Sequence, residues 1–454
     1  MMVRSSKVEG EKPNDADYLE EKDWISNLPD GVLCHILSLM PTRNAVRTGI
    51  LSTRWKYLWT SVPIINLHCW WRSGEVDGPS NSMDFVDRFL LLHNLPNLNK
   101  FLLNCGPRID PYQFNSWVST AIKRHVQELR LSICMESVVH LPCQLFTSID
   151  LVVLELRCHW FYLCPLFHWS PSTVFLPRLK VLHLCSLGFL DDGSLKNILS
   201  GCPVLEELEI LTSEKDKINT LYICSSTLKK LIIHNLFKER SVQCCVVIKA
   251  PNLESLKLSD SVSRDFEVDE LPALVKAIFC VRFRGDNHES SDYYCNAVVR
   301  MLSKASNVQH LWFDDLTLEV VIRASAYNEL SFHSLTHLDI DHYDTHWSGV
   351  PDLLGCFPSL TVLVLKKAMP ENLPVCLSLS LEIMELRGFH GCSKEMKLVR
   401  YLLENAMVLK KLTLKGSWSR KKKIKTDLQK YKRGSSTCQI EFLYKKHEGS
   451  VEWL

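Results

Sequence analysis

Histidine, cysteine and aspartate side chains that could carry chemistry are concentrated in two parts of this 454-residue chain. The first part holds Cys158, His159, Cys164 and His168, whose spacing fits no standard zinc template. The second part comprises six residues on two copies of one short pattern: His310, Trp312, Asp314, His337, Asp339 and Asp341. Imidazole, aromatic and acidic groups together are typical of protein interaction hot spots, so we expect these six to contact another protein. Two alternatives for this set are a metal site and an ordinary solvent-exposed surface without a ligand.

The chemistry of a known enzyme class is not indicated by any local motif. The sequence holds no phosphate-binding loop, no Gly-x-Ser-x-Gly elbow and no His-Glu-x-x-His pair. We therefore predict a non-catalytic protein with no cofactor and no resident metal.

The elements that must position these side chains follow from a repeated pattern, apolar-x-x-apolar-x-apolar. It occurs in thirteen copies, which begin at Leu98, Val126, Leu151, Leu179, Leu205, Leu228, Leu253, Leu274, Val308, Leu335, Leu360, Leu381 and Leu409. The mean period is about 26 residues, within the range of about 20–29 for leucine-rich repeats. One copy cannot bury its apolar face, whereas stacked copies share a core. The pattern predicts an α/β solenoid with parallel strands on a concave face.

The register of such strands brings the six candidate residues together. Side chains alternate along a strand, so the residues that flank the inner leucines face the concave side. Neighbouring strands lie about 4.8 Å apart, and the two copies are adjacent, which predicts one patch. The interval between the copies at Leu274 and Val308 is longer than the others, and its polar run Arg284 to Asp292 predicts an inserted loop.

The N-terminal part of the chain has a different organisation. Residues 1–22 are polar and predict a disordered tail. Residues 23–63 predict three short helices: Pro29 lies in the first turn, Pro41 ends the first helix, and Thr42 and Ser52 cap the next two. Residues 64–97 predict a connector with an amphipathic helix.

Composition limits the setting in which the protein works. The net charge is +2, so no global attraction to nucleic acid or membrane is expected. No secretory signal or membrane span is indicated, and the 18 scattered cysteines predict reduced thiols. We expect a location in the nucleus and/or cytoplasm.

Several stretches resemble a known family. Residues 23–59, with Leu28-Pro29-Asp30, Pro41-Thr42-Arg43 and Leu51-Ser52-Thr53-Arg54-Trp55, closely resemble a plant-type F-box. Gly201-Cys202-Pro203 and the following leucines look like the repeats of the F-box/LRR/FBD family, and Leu386-Arg387-Gly388-Phe389 looks like its FBD module. The resemblance implies an F-box at 23–63, a leucine-rich-repeat solenoid at 98–369 and an FBD module at 370–445 that continues the repeats.

The resemblance also implies a function. Such proteins are substrate-recognition subunits of SCF-type ubiquitin ligases: the F-box binds a SKP-type adaptor, which bridges to a cullin, and the repeats hold the protein substrate. Carried onto this chain, the adaptor-facing positions are Leu28, Pro29, Ile36, Leu37, Leu51, Trp55, Leu58 and Trp59. Trp55 or Trp59 could instead pack on the first repeat. Gly49 departs from the family pattern, where a small polar residue is usual, and Met40 replaces a leucine.

Two alternatives stay open at this point. The chain could be a repeat scaffold that binds partners without a ligase. The basic run Arg420 to Lys425, followed by Lys430, Lys432 and Arg433, could be a nuclear-import signal or a nucleic-acid contact. We favour a solvated face of a C-terminal helix or loop for this run.

Overall fold

The structure is a computed structural model. It describes residues 24–25, 27–69, 79–106, 108–134, 139–158, 167–168, 173–185, 191–212, 218–235, 244–261, 263–282, 288–324, 330–342, 350–367, 380–416 and 421–444. The predicted tail at 1–22 and the central residues of the Cys158–His168 cluster lie outside these ranges.

Ten helices are described: α1 Asp30–Ser38, α2 Thr42–Arg47, α3 Pro79–Leu92, α4 Pro111–Lys123, α5 Asp192–Ser200, α6 His288–Ser303, α7 Asp315–Arg323, α8 Val350–Gly355, α9 Ser393–Asn405 and α10 Lys421–Gln429. Turns of 3₁₀ helix cover Thr48–Ile50, Trp55–Ser61 and Cys143–Thr147. None of the helices in the described part of the chain is long and apolar enough to span a bilayer.

Twenty strands are described: β1 Ile64–Cys69, β2 Lys100–Cys105, β3 Glu128–Ile133, β4 Val139–His140, β5 Val153–Cys158, β6 Phe167–His168, β7 Val181–Cys185, β8 Glu207–Leu211, β9 Thr220–Cys224, β10 Lys230–Asn235, β11 Cys244–Lys249, β12 Ser255–Asp260, β13 Ser263–Val268, β14 Lys276–Val281, β15 His310–Asp314, β16 His337–His342, β17 Val362–Lys367, β18 Ile383–Arg387, β19 Lys411–Gly416 and β20 Gln439–Tyr444.

One long parallel sheet organises the molecule. Its 15 strands run in the order β1-β2-β3-β5-β7-β8-β10-β12-β14-β15-β16-β17-β18-β19-β20. Each of the thirteen predicted repeat copies supplies one strand of this sheet, from β2 to β19. Two strands lie outside the predicted set, since β1 starts the sheet directly after the N-terminal helices and β20 ends it. The α/β solenoid expected from the repeats is confirmed.

The core lies on one face of this sheet. The two leucine-type positions of each strand point inward and are essentially inaccessible, as Leu129 and Leu131 in β3 illustrate. Helices cover this face: α4, for example, contributes the fully buried Phe114 and Trp117. The intervening strand residues form the other face, which helices do not cover in the described residues and which corresponds to the predicted concave side. We call it the open face.

Three local predictions were wrong. The polar run Arg284–Asp292 is not entirely a loop, because α6 begins at His288. Thr42 does not cap α2; its hydroxyl accepts a hydrogen bond from the backbone N–H of Asn66, 2.7 Å away, and so ties α2 to β1. Ser52 does not cap the third helical segment, which is a 3₁₀ helix that starts at Trp55 without a side-chain cap.

The C-terminal end of the solenoid has its own stabilising features. The buried Glu395 of α9 accepts backbone hydrogen bonds from His390, Gly391 and Cys392. Gly416, at the end of β19, lies so close to the backbone carbonyl of Phe389 that a Cβ would overlap it. These contacts hold the α9 segment against the last strands.

Candidate functional site

The N-terminal helical unit divides its predicted adaptor-facing residues into two groups. Leu37, Trp55, Leu58 and Trp59 are buried within the chain, with at most 8% of their surface exposed. The ring of Trp59 packs on Phe89 of α3 at a centroid distance of 5.2 Å, so Trp59 joins the unit to the start of the solenoid. Phe89 belongs to the connector that precedes the first repeat, so the alternative in which Trp59 contacts the first repeat stays a prediction. These four side chains belong to the interior of the unit and present little area to a partner.

The other four residues lie at the surface. Pro29, Ile36 and Leu51 are exposed, and Leu28 is half-buried. Ile36 and Leu51 belong to a larger set of exposed apolar side chains, which we call the F-box patch: Trp24, Ile25, Val32, Ile36, Leu39, Ile50, Leu51 and Tyr57, with exposures from 39% to 89%. A concentration of large exposed apolar side chains within one small unit is typical of a protein interface.

Most of the F-box patch was missed by sequence reasoning. Tyr57, for example, lies beside the buried Leu58, so spacing alone did not separate it from the core. The Arg54 guanidinium forms an ion pair with Asp30 at 2.6 Å and thereby fixes the third helical segment against the start of α1. A Cβ at Gly49 would meet Lys56 at an ordinary contact distance of 3.4 Å, so a residue with a side chain would also fit at this position.

A cleft of about 380 Å³ lies at the junction between this unit and the solenoid. Val46, Trp59, Phe85, Phe89 and Leu92 supply its apolar lining, and Asp84 and Arg88 add charge. The junction is also held by hydrogen bonds, since the ring of His93 bonds to the carbonyl of Val62 at 2.8 Å. The helical unit is therefore packed on α3 and not suspended on a free linker.

The open face of the N-terminal strands carries a network of paired charges. Arg130 donates to Glu155 at 3.0 Å, and Arg157 donates to Glu209 at 3.0 Å across two strand intervals. His183 lies between them and bonds to Glu207 at 3.0 Å. We call these residues the charge ladder.

The ladder changes the acidity of its members. The His183 ring, whose Nδ1 lies 3.7 Å from a Glu155 carboxylate oxygen, is the largest cause that lowers the pKa of Glu155 to about 2; burial opposes this change, and the charges of Arg157 and Arg130 add to it. Burial lowers the pKa of His183, but the nearby carboxylates of Glu155, Glu209 and Glu207 outweigh burial, so the pKa of His183 is raised. The ladder is thus a mutually stabilised set of charges with little left to offer a partner.

The six residues predicted as a substrate patch lie on neighbouring strands, as expected. His310 pairs with His337, Trp312 with Asp339 and Asp314 with Asp341 in the β15–β16 register. The two histidine rings are 4.2 Å apart between centroids. The predicted adjacency is therefore present on the open face.

The three carboxylates of this set are already engaged within the chain. Asp314 is the N-cap of α7 and accepts from the backbone N–H of Thr317 at 2.8 Å. Asp339 pairs with Arg387 at 2.9 Å, and Asp341 pairs with Lys366 at 2.5 Å. Burial raises the pKa of Asp339, although Arg387 opposes this effect. Contact between these acids and a substrate stays a prediction, but they are not free charges.

Metal binding finds no support at these positions. Within the described ranges, no group of three or more His, Cys, Asp or Glu side chains is arranged to hold a metal ion. Every cysteine in those ranges is a free thiol.

The basic run forms part of a helix. It falls in α10, whose Ile424 and Leu428 are buried against the solenoid while Lys423 faces solvent. Lys425 lies over the ring of Phe442 with its ammonium 5.0 Å from the centroid. Arg420 is outside the described residues. A solvated helix face, the interpretation favoured from the sequence, fits this arrangement.

A short helical unit with an exposed apolar patch, packed on a parallel-strand solenoid, defines a leucine-rich-repeat protein with an N-terminal F-box. Three family models match the chain: the F-box domain over residues 25–67, the LRR repeats of the FBD-associated F-box protein At5g56370 over 114–276, and FBD over 369–414.

Relatives from Arabidopsis thaliana match most of the chain. F-box/LRR-repeat protein 13 is 34% identical over 418 residues, covering 87% of this chain and 90% of that protein. Putative F-box/FBD/LRR-repeat protein At1g66300 is 30% identical over 462 residues, covering 97% and 98%. FBD-associated F-box protein At1g66310 is 31% identical over 442 residues, covering 93% and 97%. The chain belongs to the family of F-box/FBD/LRR-repeat proteins, whose architecture is that of substrate-recognition F-box proteins in general.

Proposed function

We propose that this protein is the substrate receptor of an SCF-type ubiquitin ligase. Its F-box binds a SKP-type adaptor, the adaptor connects it to a cullin, and the solenoid holds a protein substrate. The receptor itself is not catalytic and acts by proximity, because holding the substrate near the charged conjugating enzyme raises its effective concentration.

The observation that carries the proposal is the F-box patch. Eight large apolar side chains are exposed there, on a unit whose buried apolar side chains include Leu33, Leu37 and Trp55. Covering an aliphatic side chain with a partner contributes about 1.5–3 kcal/mol, so a few of these residues suffice for a stable contact. The proposed adaptor contact is accordingly centred on Pro29, Ile36 and Leu51, and the exposure of Ile50 and Tyr57 supports including them.

The adaptor contact is tested by placing a charge in the patch. Leu51→Asp and Ile36→Asp should each weaken binding to a purified SKP-type adaptor by at least about tenfold, since tenfold corresponds to only about 1.4 kcal/mol. Ile149→Asp is the matched control, because Ile149 is an exposed aliphatic residue of the solenoid, at 59% exposure. Titration calorimetry measures the affinities. Equal affinity of Leu51→Asp, Ile36→Asp and the unaltered protein would contradict the proposal.

The ligase role needs a second measurement. Proximity labelling from the intact protein and from Leu51→Asp should recover the same solenoid-bound proteins, which accumulate on the variant because they are no longer modified. In the cells used for labelling, we expect the protein to be located in the nucleus and/or cytoplasm. If captured proteins stay equally abundant and unmodified with both forms, the alternative of a scaffold without a ligase is favoured.

A further inference from the structure

The open face is not uniform in charge, and its central part differs from both ends. On the N-terminal side, the charge ladder pairs its acids with Arg130, Arg157 and His183. On the C-terminal side, Asp339 and Asp341 are paired with Arg387 and Lys366. The net charge of each end of the open face is therefore close to zero.

Between them lies what we call the central strip, the outward side chains of β10, β12, β14 and β15. Its middle row is Ile232, Lys257, Ile278 and Trp312, which the strand register places side by side. All four are partly exposed, so an apolar row with one cation is open at the surface. The row spans roughly 14 Å, three strand intervals of about 4.8 Å, which equals four to five residues of extended peptide.

The charge of the central strip is positive. Its outward positions carry Lys230, Lys257 and Lys276, whereas the single carboxylate among them is Asp314, which is committed to capping α7. Lys230 is paired with Glu207 at 3.1 Å, but no residue that the structure describes forms an ion pair with the exposed Lys276. The nearby buried Asp260 lies on the inner side, where Asn235 and Ser263 donate to its carboxylate.

A further donor lies at the end of the same strand. Arg282 follows β14 on the outward side, and its buried Nε has no hydrogen-bond partner among the described atoms. A buried polar group without a partner is costly, so an acceptor supplied from outside would be favourable there.

We propose that the central strip binds an extended acidic segment of the substrate that carries apolar side chains. The carboxylates lie on Lys257 and Lys276, and the apolar side chains lie on Ile232, Ile278 and Trp312. This inference rests on the proposed function, since it names the substrate class that the receptor captures. A nucleic acid fits less well, because Ile232 and Ile278 offer its phosphates nothing.

The test uses the full-length protein and short fluorescein-labelled peptides. Fluorescence anisotropy at low salt compares a peptide of alternating Glu and Leu with peptides of alternating Lys and Leu and of Glu alone. The Glu–Leu peptide should bind most tightly and weaken as salt is added, because surface charge pairs are screened. A single-stranded oligonucleotide of similar length is measured in parallel.

Charge reversal locates the site. Lys257→Glu combined with Lys276→Glu should weaken the Glu–Leu peptide by at least about tenfold, while Lys123→Glu, on the exposed side of α4, should not. Trp312→Ala should weaken the Glu–Leu peptide and leave the all-Glu peptide unchanged. If the double variant fails to fold, the single change Lys276→Gln at an exposed position takes its place. It should weaken binding of the Glu–Leu peptide about threefold.

The inference is overturned if the Glu–Leu and Lys–Leu peptides bind alike, if the Glu–Leu peptide does not bind at low salt, or if the oligonucleotide binds more tightly. Adaptor affinity is measured on the same protein samples. Loss of peptide binding with normal adaptor affinity removes only this inference, whereas peptide binding without adaptor binding removes only the ligase role.

Discussion

Replacing Glu155 by Gln in the charge ladder should destabilise the solenoid in a way that depends on pH. The pKa of Glu155 falls from an ordinary value of 4.5 to about 2, through the neighbouring His183 ring and the charges of Arg157 and Arg130. Each whole unit of pKa is worth about 1.36 kcal/mol, so ionised Glu155 contributes at most about 3 kcal/mol at neutral pH. Its side chain is only 15% exposed, and solvent screening therefore removes little of this.

The sign of the pH dependence follows from the direction of each pKa change. Glu155 has a lowered pKa, so its contribution is full above pH 4.5 and is lost as the pH falls towards 2. Linkage gives about 1.4 kcal/mol left at pH 3. His183 has a raised pKa, so its contribution is full below 6.5 and is lost as the pH rises through the folded-state value. The ladder is most stabilising between these limits.

The assay is thermal unfolding of Glu155→Gln followed by circular dichroism from about pH 3 to pH 8. An unfolding entropy of about 2.1 cal/mol/K per residue makes 1 kcal/mol worth roughly 1 °C in a chain of this length, so we expect a Tm lower by roughly 3 °C near pH 6. Glu254→Gln, an exposed acid outside the ladder, is the control. An unchanged Tm near pH 6, or the same deficit at pH 3 as at pH 6, would refute the reasoning.

Two further predictions concern the C-terminal segment. Glu395→Ala removes the acceptor of three backbone N–H groups and should cost about 3 kcal/mol or more, detected as faster hydrogen exchange at residues 390–392; unchanged exchange there would count against the contact. Gly416→Ala places a Cβ against the carbonyl of Phe389 and should lower the Tm, whereas Gly355→Ala, with open space around it, should not; equal Tm values for the two variants would argue against the close approach.

The repeat architecture was predictable because its signal is local. Each strand is marked in the sequence by two apolar positions separated by one residue. Even the weakest copy, which contains Ala277, forms a strand, β14, in which Ala277 is fully buried. Strands β1 and β20 were missed because they lie at the ends, where neighbouring copies do not reinforce the pattern. The start of α6 at His288 was missed because its first residues are polar.

The candidate sites were predicted less completely, because they depend on contacts between residues that are far apart in the sequence. Which F-box side chains are buried depends on α3, which lies beyond the unit: Trp59 turns inward onto Phe89, while Ile50 stays 89% exposed. The roles of the acids depend on partners far along the chain. Asp339 meets Arg387 48 residues later, and Arg157 meets Glu209 52 residues later.

The sequence by itself therefore determined the family, the order of its parts, the strands and which side chains share the open face, since these follow from spacing within one repeat. Only the tertiary structure decided which of those side chains are free. Charges on neighbouring strands neutralise one another at both ends of the open face, and Asp314 is committed to capping α7. That pairing leaves the central strip as the positive, partly apolar section, and no local pattern encodes it because it arises between repeats.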